Sequence, residues 1–296
     1  MKTILPLAVL IGATMALTVS LQAQPTAHYV PGVEGIKAAS LPPPGVYVRD
    51  YNAFYFANQL NDGNGDKAGP PNFNAFVYAN VPRVIWITDK QILGGFIGVD
   101  ALLPLVHQNV RAGGFDQTTF GIGDFFFEGT LSWHIQHFDF SVAAGVWTPT
   151  GDSALPPTTK IGGGYWGPML TAGATWYIDA EKTWAISALN RYEFNTEQRD
   201  TDVIPGQAYT LEWGVSKNLA KVIDVGAVGY FQQKVTSDHG NYLYKKPRDL
   251  VAAVGPEVNV AFPKPMLFIS LRYLYEFEAE NRAQGHTVSL TLTKRF

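Results

Sequence analysis

The 296-residue chain contains no cysteine. That excludes a lipid-anchored lipoprotein and removes disulfides from any account of stability, and it suits an oxidising periplasm. Charge is scarce too. Asp, Glu, Lys and Arg make up 16% of residues and the net charge is only −3, which argues against nucleic acid as a partner. After Ala23 no apolar run approaches the roughly 20 residues of a spanning helix. A membrane protein with this sequence must therefore be a closed barrel, the alternative that leaves no backbone hydrogen bond unmet in lipid.

What is abundant points the same way. Aromatics reach 13%, close to the charged fraction; that ratio is unusual for a soluble domain and natural for a barrel with aromatic girdles at both interfaces. The last residues, Gly285 to Phe296, alternate apolar and polar. Val288, Leu290, Leu292 and Phe296 lie on one strand face, with Thr287, Ser289, Thr291, Thr293 and Arg295 on the other. Such a strand suits lipid on one side and a lumen on the other, and its terminal Phe resembles the signal that barrel-assembly machinery recognises.

At the other end, Met1-Lys2-Thr3 is a basic start, Ile4 to Val19 an apolar stretch and Leu21-Gln22-Ala23 a small-residue cleavage site. Residues 1–23 read as a secretory signal peptide. The rival, a membrane anchor, is weakened by length, by Pro6 and by the lack of a basic flank.

The expected fold is all-β: a transmembrane antiparallel up-and-down barrel over residues 46–296, of twelve strands, with both termini periplasmic. The strands are read at 46–60, 73–88, 90–105, 120–136, 138–149, 163–178, 183–197, 207–218, 221–235, 248–262, 265–280 and 285–296. Short links fall at Asp89, His137, Asp179–Lys182, Asn218–Lys221 and Pro263–Pro265. Longer Gly/Pro/Asp-rich links fall at Asn61–Asn72, Val106–Thr119, Thr150–Gly162, Gln198–Gly206 and Thr236–Pro247, while Asn281–Gln284 is short. The first two strands are poorly phased, because Arg49 sits beside Asp50. A soluble sandwich would have strands of about 5 to 6 residues, well short of these. Residues 24–45, rich in Pro and Gly, are an extended segment, either a periplasmic tail or a plug folded into the lumen.

Twelve strands about 4.8 Å apart, tilted about 40°, give a backbone radius of roughly 12 Å and a lumen of about 10 Å. The inward phase carries Asp124, Glu128, Arg191, Glu193, Glu212, Asp224, Lys234, Glu257, Arg272, Glu276 and Glu278. Charges at membrane depth belong on the interior. They either form a salt-bridged filling or line a selective path.

Several motifs bear on chemistry. Asp62-Gly-Asn-Gly-Asp66 opens like a calcium loop but has Lys67 where glycine is needed and Phe73 where the bidentate Glu belongs, so a turn-rich loop is expected. His134 and His137 straddle a hairpin without co-ligands. Ser132 and His134 share a strand face, but no acid is assigned to orient the histidine, which leaves a lipid-acting enzyme unsupported. Gly162-Gly-Gly164 is a hinge with no helix after it to make a phosphate cradle. No cofactor or metal is expected.

Seven short segments in order carry a resemblance: His28-Tyr-Val-Pro-Gly32, Leu41-Pro-Pro-Pro-Gly-Val-Tyr47, Gly121-Ile-Gly-Asp124, Thr148-Pro-Thr-Gly-Asp152, Ile161-Gly-Gly-Gly-Tyr-Trp166, Gln233 to Gly240 and Asn281-Arg-Ala-Gln-Gly285. Over His28 to Phe296 the chain resembles the outer-membrane family named for the meta-pathway of phenol degradation. That resemblance implies an outer-membrane location and passage of small hydrophobic or aromatic compounds; it carries no catalytic or binding residues with it. The partners expected are outer-membrane lipid, the barrel-assembly machinery and a small-molecule solute. A structural or surface-binding barrel, whose loops do the work, is the alternative.

Overall fold

The computed structural model describes residues 27–152, 159–199, 201–241 and 245–296. The proposed signal peptide therefore lies outside the described residues. Among these residues every regular element is a strand: β1 (Gly45–Leu60), β2 (Asn74–Ile92), β3 (Gly95–Leu102), β4 (Leu105–Ala112), β5 (Phe115–Ile122), β6 (Phe126–His134), β7 (Phe138–Trp147), β8 (Gly167–Tyr177), β9 (Trp184–Glu193), β10 (Val203–Ile204), β11 (Ala208–Asn218), β12 (Ile223–Lys234), β13 (His239–Gly240), β14 (Leu250–Phe262), β15 (Leu267–Glu280) and β16 (Ala283–Arg295).

Twelve of these strands close one antiparallel ring, β1-β2-β3-β6-β7-β8-β9-β11-β12-β14-β15-β16, and β16 returns to pair with β1. Closure leaves the ring no free edge, so each strand's backbone finds partners on both sides. One end of the ring carries the chain's carboxyl terminus and the tight links 93–94, 135–137, 178–183, 219–222 and 263–266. The other carries the long connections 61–73, 148–166, 194–207 and 235–249. We call these the turn end and the loop end. β10 pairs with β13 and ties two of the long loops together over the bore.

Two sequence expectations are corrected here. The link placed at Asp89 is at Leu93–Gly94, where Gly94 has φ +77° and Leu93 φ +51°; β2 runs on to Ile92. The loop placed at Val106–Thr119 is instead the β4–β5 hairpin, which turns at Gly113–Gly114. β3 and β4 are one long strand interrupted at Leu103–Pro104, since Leu102 pairs with Arg83 and Leu105 with Asn80 in unbroken register on β2. Pro104 has no amide to give the ladder. β5 and β6 form the matching strand, interrupted at 123–125. Segment boundaries expected at 90–105 and 120–136 therefore miss the outer halves of both strands.

Side chains alternate about the wall. Outward-facing Val84, Trp86, Leu170, Phe268, Leu271 and Tyr275 are each half exposed or nearly so, a band of apolar surface that a soluble protein does not maintain. Trp213 also faces outward, partly covered. Near the middle of β1 and β2 the band is broken by a polar group. The Asn80 amide donates to Asp50 at 2.8 Å, the Asn52 amide to Asp50 at 2.9 Å and the Tyr78 hydroxyl to Asn52 at 2.8 Å. Mutual hydrogen bonding offsets their exposure to hydrocarbon. In the middle of the band, Leu271→Arg should cost about 2–4 kcal/mol. Urea unfolding in lipid vesicles measures it; an unchanged midpoint would mean that this face meets water.

The inward phase of β15 fails at its end. Glu276 pairs with Ala253 and Glu278 with Ala252, so Phe277 is an extra residue in the ladder. The bulge flips the parity. Ala279 is buried and Glu278, expected in the lumen, is turned outward and exposed beside the 62–66 loop.

Residues 27–44 run through the ring. They bond to strands on every side: Tyr29 to β11, Glu34 to β1 and β2, Ile36 to β14, Gly32 to β15 and Ser40 to β8. Only the interior of the barrel is close to all of these at once.

Candidate functional site

The interior is organised around this threaded segment. Its backbone amides donate to wall carboxylates that would otherwise be buried without partners. His28 and Tyr29 donate to Glu193 at 3.0 and 3.2 Å, Gly32 and Glu34 to Glu212 at 2.8 and 3.1 Å, and Ile36 to Glu257 at 3.0 Å. Two glycines make the approach possible. Gly32 adopts φ +85° against Tyr230 and Leu274, and a Cβ at Gly35 would overlap Glu257 and Arg272.

A charged layer crosses the bore where the segment passes. Arg83 bonds Glu34, Asp100 and Glu128 at 2.8–2.9 Å. Arg49 reaches Glu34 at 3.2 Å, Arg191 reaches Glu212 at 2.6 Å and Arg272 reaches Glu257 at 2.8 Å. The guanidinium of Arg191 also stands 4.2 Å from the Tyr29 ring centroid. Of the residues singled out in the sequence, Glu128, Arg191, Glu212, Glu257 and Arg272 meet in this layer. Asp224 is half-buried nearer the turn end and holds Lys37 at 2.9 Å. Asp124, Glu193, Lys234 and Glu276 lie toward the loop end.

Sequence reasoning missed Arg49 and Arg83, which sit on the poorly phased first two strands, and Asp100 on β3. It also missed Glu34 and His28, which belong to no strand and have no period to betray them.

Cavities flank the layer. One of about 540 Å³ opens at the turn end and one of about 250 Å³ at the loop end; Val33 lines both. The loop-end cavity has apolar walls from Ala53, Val77, Ala79 and Val106. The strand break at 123–125 swings Asp124 to its rim, where Asp124 accepts the amides of Gly151 and Gly163 at 2.8 and 2.5 Å. Five of the seven short segments quoted above contribute residues here.

His28 is clamped between Glu193 at 2.8 Å and Asp124 at 3.2 Å, under Trp147 and Tyr165. Burial disfavours the imidazolium, but the two carboxylates outweigh it and lift the pKa to about 9. A raised pKa stabilises docking fully below the free value near 6.5, and that stabilisation is lost as pH rises through about 9. His28→Gln should remove this dependence and weaken docking by about 1–3 kcal/mol. Amide hydrogen exchange of residues 28–36 between pH 6 and 10 reads it; identical profiles for both proteins would refute the assignment.

The remaining motifs are otherwise engaged. Asp62 accepts the amides of Asn64 and Asp66 within its own turn. His134 is 3.0 Å from Asp139, an acid the sequence reading left unassigned, and the His137 ring bonds the Tyr177 carbonyl. The Ser132 hydroxyl is buried with no hydrogen-bond partner among the described residues, so Ser132 and His134 do not form a nucleophile–base pair.

Comparison with curated proteins returns no match. Among solved structures, an outer membrane channel from Pseudomonas putida F1 is similar at a TM-score of 0.77 and 12% identity, covering 90% of this chain and 100% of that one. The translocator domain of the autotransporter NalP from Neisseria meningitidis gives 0.47 at 11% identity, covering 88% and 92%. The CymD monoaromatic hydrocarbon channel gives 0.45 at 11% identity, covering 86% and 89%. The family described as "Putative MetA-pathway of phenol degradation" matches residues 57–292.

Proposed function

Because the chain belongs to this phenol-degradation family, we propose that it is a channel for small hydrophobic or aromatic compounds. As a closed barrel of this kind it resides in the bacterial outer membrane. In this reading both termini are periplasmic, the long loops face outward, the apolar band meets outer-membrane lipid and the barrel-assembly machinery inserts the chain.

One observation carries the proposal: cavities of about 250 and 540 Å³ lie in series along the bore, on either side of the charged layer that residues 27–44 cross. A barrel with a purely structural role has no need of two lined chambers. The lipid-acting reading has less support, since no hydrogen bond joins Ser132 to His134 among the described residues. The segment acts as the plug.

The test is reconstitution into planar bilayers and liposomes. Ionic conductance together with uptake of small aromatic solutes is the expected result. If neither ions nor aromatics pass, with the plug present or deleted, the structural reading takes its place.

A further inference from the structure

We propose that the loop-end cavity is a binding site for a small aromatic carboxylate, with Lys246 as the group that receives the anion. This deepens the channel reading above and rests on it for its biological meaning. The cavity, at about 250 Å³, falls just under the roughly 300–1,000 Å³ of sites for drug-sized ligands, which suits a one-ring solute. Its apolar walls on β1, β2 and β4 suit the ring.

The charges suit an acid. Four cationic side chains, Lys160, Lys234, Lys246 and Arg282, line the cavity together with His28, against three carboxylates, Asp124, Asp238 and Glu276. Each carboxylate already has its donors. Asp124 is held by His28 and two glycine amides. Asp238 pairs with Lys234 and accepts the amides of Gly206 and Lys246, both at 2.7 Å. Glu276 accepts the hydroxyls of Tyr55 and Tyr230 and the amide of Gly285. Arg282 is paired with Asp249 at 3.3 Å.

Lys246 is different. Its side chain is partly buried, yet its ammonium has no hydrogen bond and no carboxylate within 4 Å among the described residues. Burial and Lys234 lower the pKa of Lys246 and outweigh the more distant Asp249 and Asp238, while burial and Lys246 hold Lys160 down to about 8. A neutral hydrocarbon entering here would strip water from that cation and return nothing. A carboxylate supplies a charge-assisted partner while its ring occupies the apolar wall.

Trp147 lines the cavity and serves as the reporter. Purified protein in detergent is titrated with benzoate and with benzyl alcohol, its neutral counterpart, following tryptophan fluorescence and heat of binding. Benzoate should bind at least tenfold more tightly. Lys246→Met should abolish that preference without changing benzyl alcohol binding, and Lys246→Arg should keep it. Ala79→Phe, which fills the apolar wall, should weaken both. Equal affinity for the two ligands, or a preference that survives Lys246→Met, overturns the proposal. Flux of neutral aromatics without benzoate binding would sink this inference and leave the channel standing; benzoate binding without any flux would do the reverse.

Discussion

Removing residues 27–44 should raise single-channel conductance severalfold and replace a flickering or closed baseline with a steady open level. The expectation follows from dimensions. A twelve-stranded wall encloses a lumen about 10 Å across once side chains are counted, and this segment is what divides it. Its amides occupy Glu193, Glu212 and Glu257, and its Glu34 occupies Arg49 and Arg83. Without it those groups face water, and ions meet a polar tube instead of a packed layer. The wall itself should persist, because its ladder runs strand to strand without the segment. A gentler variant guards against misfolding: Gly35→Val places a side chain where Glu257 and Arg272 stand, and should lift the segment from its seat while leaving the chain complete. Planar-bilayer recordings check both. Unchanged conductance in the two variants would show that the bore is closed elsewhere.

How much of this was legible beforehand follows from where each residue sits. On β15, Leu271, Tyr273 and Tyr275 meet lipid while Arg272 and Glu276 face in, so the two-residue period displays the wall directly. β1 and β2 hide it. Asp50, Asn52 and Asn80 lie on the outer face and Arg49 and Arg83 on the inner, leaving no contrast to read. The β4–β5 hairpin reads as a loop in sequence because Pro104, Gly113 and Gly114 look like breakers, although the first only interrupts a ladder and the others turn a tight hairpin. Glu278 misled because a bulge is one extra residue, invisible to any periodic rule. The segment at 27–44 reads as extended and rich in Pro and Gly, but its choice between tail and lumen depends on partners scattered from residue 47 to residue 295. Pairing across such distances leaves no local trace. The inward charges could be found by phase; their partners could not.

That pairing makes a second large effect calculable. Arg83→Met should destabilise the folded barrel by about 3–5 kcal/mol, the cost of leaving a buried charge partner uncompensated. Arg83 has a side chain only 7% exposed and bonds Glu34, Asp100 and Glu128, whose own side chains are no more than 11% exposed. Removing the cation strands Asp100 and Glu128, which repel one another as well as losing a donor, while Glu34 keeps Arg49 and Tyr51. A contrasting pair sets the scale. Arg111 and Asp116 bond at 2.9 Å on the outer hairpin but are 55% and 51% exposed, so Arg111→Met should cost about 0–1 kcal/mol. If the deficit at Arg83 arises from stranded charge and not lost packing, adding Asp100→Asn and Glu128→Gln to Arg83→Met should restore most of the stability, since neutral amides of the same shape need no guanidinium. Denaturant unfolding of the reconstituted protein measures all three. A triple variant as unstable as Arg83→Met alone would mean that the layer is held by the shape of the arginine and not by its charge.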